Sequence, residues 1–433
     1  MFPLPRAIEF LFYLFIFFVP LQTRWIWHRG FINGGAWEYG TFSIYGTEIL
    51  LWVILILYFV QQIKSFKFQV SSFKINSKTV IILSLFGLIA VSSLSIFWAG
   101  AKYVAFNSTF LSLEGAALWM FIVRFPLDLK KIAWSFSFSG VMQSILAFWQ
   151  FGTQNVYGSK WLGMAAQNPS MVSGESVIET GSRRFLRAYG TFSHPNILGG
   201  FLVISILLSI YLYFRSKERK SQVLGLVFGI TNIFGLTLTF SRSAFVAFIV
   251  SSILYLVFIF FRGKGNLTRA IFFTVMFMAS TLFFGIIFQS IISPRFNGGT
   301  RLEQKSIAER GEYLKESFAL VQNHMAVGVG KGNFTESVRR EIHGKKSPWE
   351  YQPVHNIYLL VFSELGAVGL FLFLIFLSAV SARSILKKNY LGLVLWSALI
   401  IIGFFDHYLW SLYPGIIVFW LVLGIAEKPL TEP

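Results

Sequence analysis

Long apolar runs alternate with short polar connectors along most of the chain. A helix needs ~20 apolar residues to cross a bilayer core of about 30 Å. About twelve runs meet that pattern: 7–21, 45–63, 79–98, 106–124, 132–152, 195–214, 222–240, 243–261, 270–292, 356–381, 389–405 and 412–426. This predicts an all-α polytopic membrane protein, a single domain over 1–433. The first run reads as a true span, because Pro20-Leu21-Gln22 lacks the small residues of a cleavable signal. Two connectors are long, 153–193 and 293–354. The first is rich in Gly, Ser and Asn and closes with Arg183-Arg184-Phe185-Leu186-Arg187. In the second, Leu302, Ile307, Tyr313, Leu314, Phe318, Leu320 and Val321 recur at roughly helical spacing among charges. A loop helix from Arg301 to Asn323 is therefore expected. Gly328-Val329-Gly330-Lys331-Gly332-Asn333 then breaks the pattern, and a short second helix follows around 334–342. The loop reads as a folded element on the membrane surface between spans nine and ten.

Composition sharpens this picture. Hydrophobic residues make up 55% of the chain and charged ones 13%, which excludes an ordinary soluble globular protein. The 50 phenylalanines suit lipid-facing surfaces. With no cysteine, thiolate metal sites, disulfides and thiol nucleophiles are excluded. The net charge of +18 is spread over many short loops, so it reads as membrane topology and not as nucleic-acid binding. Five of those loops hold seventeen basic residues, against only Asp128 and Glu218 as acids. They are Lys64, Lys67, Lys74, Lys78; Arg124, Lys130, Lys131; Arg215, Lys217, Arg219, Lys220; Arg262, Lys264, Arg269; and Arg383, Lys387, Lys388. The positive-inside rule makes them cytoplasmic. Both termini then fall inside, and 22–44, 99–105, 153–194, 241–242, 293–354 and 406–411 face outward.

Candidate chemistry gathers on that outer side. His355 stands where the second long loop enters span ten, and an imidazole with a pKa near ~6.5 can act as a base. Arg242, in Ser241-Arg242-Ser243, lies in so tight a turn that it must sit at the interface or point inward, and arginine in a membrane usually marks a partner or ligand path. Arg310 sits on the expected loop helix. Asp406-His407 supplies a carboxylate that could orient a histidine or an arginine, or remain hydrated. His194-Pro195-Asn196 opens span six and fits either a helix cap or a substrate contact. Gly328 to Gly332 lacks a phosphate-loop spacing, so it reads as a turn that doubles the chain back toward this centre. Gly366 and Gly369, one turn apart, suit close helix approach. No Asp/Glu/His spacing resembles a divalent-metal cage. Glu114 and Glu364 are the main acids inside spans.

His355-Asn356, nine residues, then Gly366-Ala367-Val368-Gly369 resembles in register the H-[NSQ]-x9-G-x-x-G motif of the bacterial O-antigen ligases. The wider likeness to the O-antigen ligase and polymerase superfamily covers about 190–420, with Gly190-Thr191-Phe192-Ser193-His194-Pro195-Asn196, Ser241-Arg242-Ser243, Arg310 followed by Tyr313, and the Asp406 region. It implies a GT-C-like inner-membrane glycosyltransferase with a periplasmic site, inverting, and without metal or cofactor. The implied donor is a glycan on undecaprenyl diphosphate, and a ligase's acceptor is the lipid A–core of lipopolysaccharide. By motif matching the essential histidine falls on His355 and the essential arginines on Arg242 and Arg310. Asp406 matches more loosely, with Asn356, His194 and Tyr313 as supporting residues. A polymerase, which uses a second lipid-linked repeat as acceptor, shares this design. A transporter suits twelve spans too, but usually places its ionisable residues near the midplane.

Overall fold

The computed structural model describes residues 4–65, 76–170, 176–181, 183–261, 267–291, 293 and 300–428. Lys67, Lys74, Arg262 and Lys264 of the basic loops, and parts of both long connectors, lie outside the described residues. A helix forms at each of the twelve expected positions. These are α1 (Leu4–Phe18), α2 (Gly46–Ser65), α3 (Ser77–Leu94), α4 (Lys102–Arg124), α5 (Leu129–Thr153), α6 (Pro195–Arg215), α7 (Arg219–Thr239), α8 (Arg242–Phe261), α9 (Leu267–Ile287), α12 (Ile357–Leu386), α13 (Tyr390–Phe405) and α15 (Tyr413–Glu427). Between them lie α10 (Arg301–Asn323), α11 (Phe334–Ser337) and α14 (Tyr408–Ser411). Among the described residues, eight helices are long and apolar enough to cross a membrane, and α13 and α15 are shorter apolar helices. The protein is a polytopic, mainly helical membrane protein.

Polar side chains mark where the helices start. Asn76, Asp128 and Asn389 each accept a backbone N–H at the head of α3, α5 and α13, which satisfies donors the first turn leaves open. α6 is the centre of the bundle. Its residues from Pro195 to Phe214 are all buried, and it packs against α5, α7, α8 and α13. A helix apolar all round belongs inside protein, not at a lipid-facing edge. The two main acids inside spans are each engaged: Trp52 Nε1 donates to Glu114 at 2.5 Å, and Trp410 Nε1 to Glu364 at 2.9 Å.

The chain is not purely helical. Three two-stranded hairpins form among the described residues, pairing Arg24–His28 (β1) with Phe42–Tyr45 (β4), Phe31–Ile32 (β2) with Gly35–Ala36 (β3), and Val177–Thr180 (β5) with Arg183–Leu186 (β6). They lie in connectors, where water and loop partners can satisfy the strand edges that lipid could not.

The connectors sort onto two ends. At one end Thr23 Oγ1 donates to Trp161 O, Asn33 Nδ2 to Lys346 O, Arg301 pairs with Glu179, and Ala101 N–H donates to Asn333. At the other, Lys131 pairs with Glu9, Arg383 with Glu427, and Lys428 Nζ donates to Phe125 O and Leu127 O. The connectors joined at each end are ones that charge counting puts on one side.

The glycine reading of α12 needs correcting. Gly366 is not a small face for a neighbouring helix; it breaks α12 with φ 66° and ψ −168°, a region essentially reserved for glycine. The backbone of 325–330 fills the gap: Val329 N–H donates to Ser363 O, Gly330 N–H to Glu364 O, and Ala367 N–H to Met325 O at 2.8–3.0 Å. A Cβ on Gly366 would lie 2.2 Å from Ala326 O. The turn through Gly328, Gly330 and Gly332, all at positive φ, does double the chain back, and it does so by completing a broken helix.

Candidate active site

α10 spans Arg301–Asn323, as its periodicity predicts, and Phe334–Ser337 with the wider turn Val338–Ile342 fills the second helical position. α10 stands beside the first half of α12, which brings Tyr313 face to face with His355. The ring centroids are 5.7 Å apart and the planes differ by 12°. Asn356 caps α12 by accepting the Leu359 N–H and donates to Phe404 O at 3.3 Å. Its side chain ties the start of α12 to the end of α13.

Asp406 follows α13 in extended conformation and is buried, which removes the hydrated reading. His355 and His407 cross edge to face at 5.0 Å between centroids. Asp406 Oδ1 accepts the His407 N–H at 2.8 Å, and Oδ2 accepts from Asn196 Nδ2 at 2.9 Å. Asn196 Oδ1 in turn accepts from Arg187 Nη2 at 2.7 Å.

Hydrogen bonds settle two of the three imidazoles. His194 Nδ1 accepts the Asn196 N–H at 3.1 Å, so its proton is on Nε2, facing Ser176 Oγ at 2.8 Å. That makes His194 the cap of α6, with Pro195 in the first turn. Ser411 Oγ donates to His407 O, so it accepts from His407 Nδ1–H at 2.7 Å. His355 Nδ1 is buried without a hydrogen-bond partner among the described residues.

Burial pulls His355 below the usual histidine range; the Asp406 charge opposes this and the Arg310 charge adds to it. Burial holds His194 and His407 lower still, at about 3 each. Burial pushes Asp406 up, but the three imidazoles and the Asn196 amide outweigh it, and the carboxyl lies below its ordinary value. At neutral pH the centre is therefore three neutral imidazoles around one carboxylate.

Of the two arginines, Arg310 is near enough for its charge to be felt at His355. Arg242 Nη2 lies 2.5 Å from Glu303 Oε1 in the first turn of α10, which anchors the loop helix to α8. Lys331 is buried with its ammonium 3.0 Å from the Trp410 ring centroid and 4.0 Å from Glu364. Burial draws it down to about 7, against the pull of Glu364.

Donor atoms of His355, Asp406 and His407 all lie within 4.8 Å of one another, a grouping that no sequence spacing reveals. Both Asp406 oxygens and one His407 nitrogen in it already serve hydrogen bonds. A second grouping, Glu312, Glu316 and His343, has Lys346 Nζ 2.7 and 2.5 Å from its two carboxylates.

Sequence reasoning missed Arg187, Asn196 and His407. Arg187 reads as the end of a basic run, and Asn196 as part of a helix start; the one available signal was their nearness in sequence to His194. No curated protein matches the chain at a significant level. Residues 227–374 match the family model described as O-antigen ligase. That stretch takes in Arg242, Arg310, His355 and Gly366 and leaves Asn196 and Asp406 outside it. The motif resemblance and this match agree over residues 227–374, which are similar to the O-antigen ligase family.

Proposed function

We propose that this protein is a metal-independent, inverting glycosyltransferase of GT-C-like fold. In this reading it transfers a glycan from undecaprenyl diphosphate to a sugar hydroxyl of lipid A–core. It sits in the bacterial inner membrane with its site facing the periplasm and both termini in the cytoplasm. One arrangement carries the reading: His355 at the head of α12 meets Asp406 from the end of α13 and Tyr313 from α10, on the end where the long loops gather.

His355, neutral at pH 7, takes the proton of the acceptor hydroxyl as that oxygen bonds to the anomeric carbon. The bond from that carbon to the lipid diphosphate breaks, and the diphosphate leaves with the electron pair. Such a leaving group needs its charge neutralised more than it needs an acid. Arg310 and Arg242 supply this through fork-like bonds to phosphate oxygens, Arg242 while also pinning α10 through Glu303. Asp406 stabilises the imidazolium that forms, and Tyr313 holds the ring plane. The lipid tail lies along the exposed phenylalanines of the bundle, and His355 returns its proton to water.

The test is transfer in detergent from a lipid-linked glycan to purified acceptor. His355→Ala should lower turnover by ~10²–10⁴-fold, and near-normal turnover would remove His355 as the base. Arg310→Lys keeps the charge but loses the fork, so it should restore only part of the rate. A chelator should leave the rate unchanged. The acceptor is read in a deletion strain. Loss of a ligase strands polymer on undecaprenyl diphosphate, whereas loss of a polymerase leaves single repeats on core.

A further inference from the structure

Asp406 is the only carboxylate described beside His355, and its aim depends on what holds it. Two acceptors and two donors meet in a row here. Arg187 can only donate and an ionised Asp406 can only accept, so the amide between them has one workable orientation. Asn196 Oδ1 faces Arg187 Nη2 at 2.7 Å, and Nδ2 faces Asp406 Oδ2 at 2.9 Å. Arg187 is itself held, its Nε donating to Thr239 O at 2.7 Å at the end of α7. All three side chains are more than nine-tenths buried. A flipped amide would set its oxygen against a carboxylate and its N–H₂ against a guanidinium, at a buried position shielded from bulk solvent.

We propose that Arg187 and Asn196 form a positioning relay that orients the Asp406 carboxylate toward His355. Neither touches substrate in this scheme; Arg187 acts through Asn196, and Asn196 through Asp406. Arg187 thereby links the hairpin connector, α6, α7 and α13 to the reacting base. The inference rests on the reading of His355 as that base. The charged and titratable groups facing the pair are His194 from α6, His407 beside Asp406, Arg310 and Tyr313 from α10, and the Tyr39 and Tyr408 hydroxyl-bearing rings.

The experiment uses the full chain in the same transfer assay, with pH profiles for Asn196→Ala, Asn196→Asp, Asp406→Asn and Asn196→Ala with Asp406→Asn. Misplacing a catalytic group by about 1 Å costs up to ~10²-fold. Asn196→Ala should therefore lower kcat on the order of tenfold or more, with KM little changed, and move the acid limb in the same direction as Asp406→Asn. The double variant should be no slower than Asp406→Asn alone, since both interrupt one line of action. Asn196→Asp keeps the shape of the side chain but puts an acceptor against Asp406. It should be slower than Asn196→Ala at neutral pH and recover as the pH falls and a proton shared by the two carboxyls restores a donor. A merely structural asparagine gives no such recovery. The relay is overturned if Asn196→Asp matches wild type at every pH, if it shows no acid recovery, or if the double variant multiplies the single effects. His355→Ala retaining turnover would instead remove the base, leaving the two failures distinct.

Discussion

Two buried polar clusters lie along α12 and behave in opposite ways. Near the start of α12, His355 faces Asp406, Tyr313 and His407. Nine residues on, about 13 Å of helix rise, Glu364 faces Lys331 and Trp410. The second cluster is closed. Glu364 accepts from Trp410 at 2.9 Å and from the backbone of Gly332 and Phe334, while Lys331 sits against the Trp410 ring and near Glu364. The first is left open at one atom, His355 Nδ1. A buried polar group without a partner is costly, and in the proposed reaction the acceptor hydroxyl would supply the missing partner. The same kinds of residue brace the fold in one place and are proposed to offer chemistry in the other, and what separates them is that Glu364 and Lys331 face each other and Trp410 while His355 Nδ1 faces no hydrogen-bond partner among the described residues.

Removing one member of the closed cluster should have the largest effect on stability. Lys331→Met strands a buried carboxylate, and losing one partner of such a pair costs about 3–5 kcal/mol. A lowered unfolding midpoint in detergent would be the readout. Adding Glu364→Gln to Lys331→Met should recover most of the loss, because the amide oxygen still accepts from Trp410. If the single variant melts like wild type, the cluster is no brace and the contrast collapses.

A smaller loss is expected from Gly366→Ala. Its φ of 66° with ψ −168° is strained for any other residue, at a cost of order 1–3 kcal/mol. The new Cβ must also displace the Ala326 carbonyl, moving the loop that carries Lys331. Both the melting midpoint and turnover should fall, since the loop seated in the break runs directly out of α10, which carries Arg310 and Tyr313. Unchanged loop protection in hydrogen exchange over 325–330 would contradict this.

The subtlest test is the pH profile. A base must be unprotonated, so activity is present above the pKa of His355 and is lost as the pH falls through it. Burial has lowered that pKa, which puts the acid limb below the ~6.5 of a free imidazole. Asp406 raises it, so Asp406→Asn should move the limb to still lower pH while slowing the neutral-pH rate. A limb that stays put or moves upward would mean that Asp406 does not act on this histidine.

Much of this was readable along the chain, because a bilayer imposes length and apolarity on each span and Lys and Arg on its connectors. The twelve helix positions and α10 follow from those constraints, as does the sorting of connectors onto two ends. The short hairpins did not, since loop strands carry no such length rule. The part proposed for His355 at the head of α12 rests on a motif that the sequence carries.

What pairs with His355 was decided only in three dimensions. Asp406 is 51 positions away, and Asn196 and Arg187 lie more than 150 positions before it. Their meeting depends on α6, α12 and α13 packing side by side, and no local periodicity encodes that contact. The Gly366 break likewise looked like ordinary helix packing, because a glycine pair has the same sequence form whether it admits a neighbouring helix or a crossing loop. Hydrophobic length and charge are properties of segments and survive in one dimension. Hydrogen-bond complementarity belongs to pairs of atoms, and only the folded chain brings those pairs together.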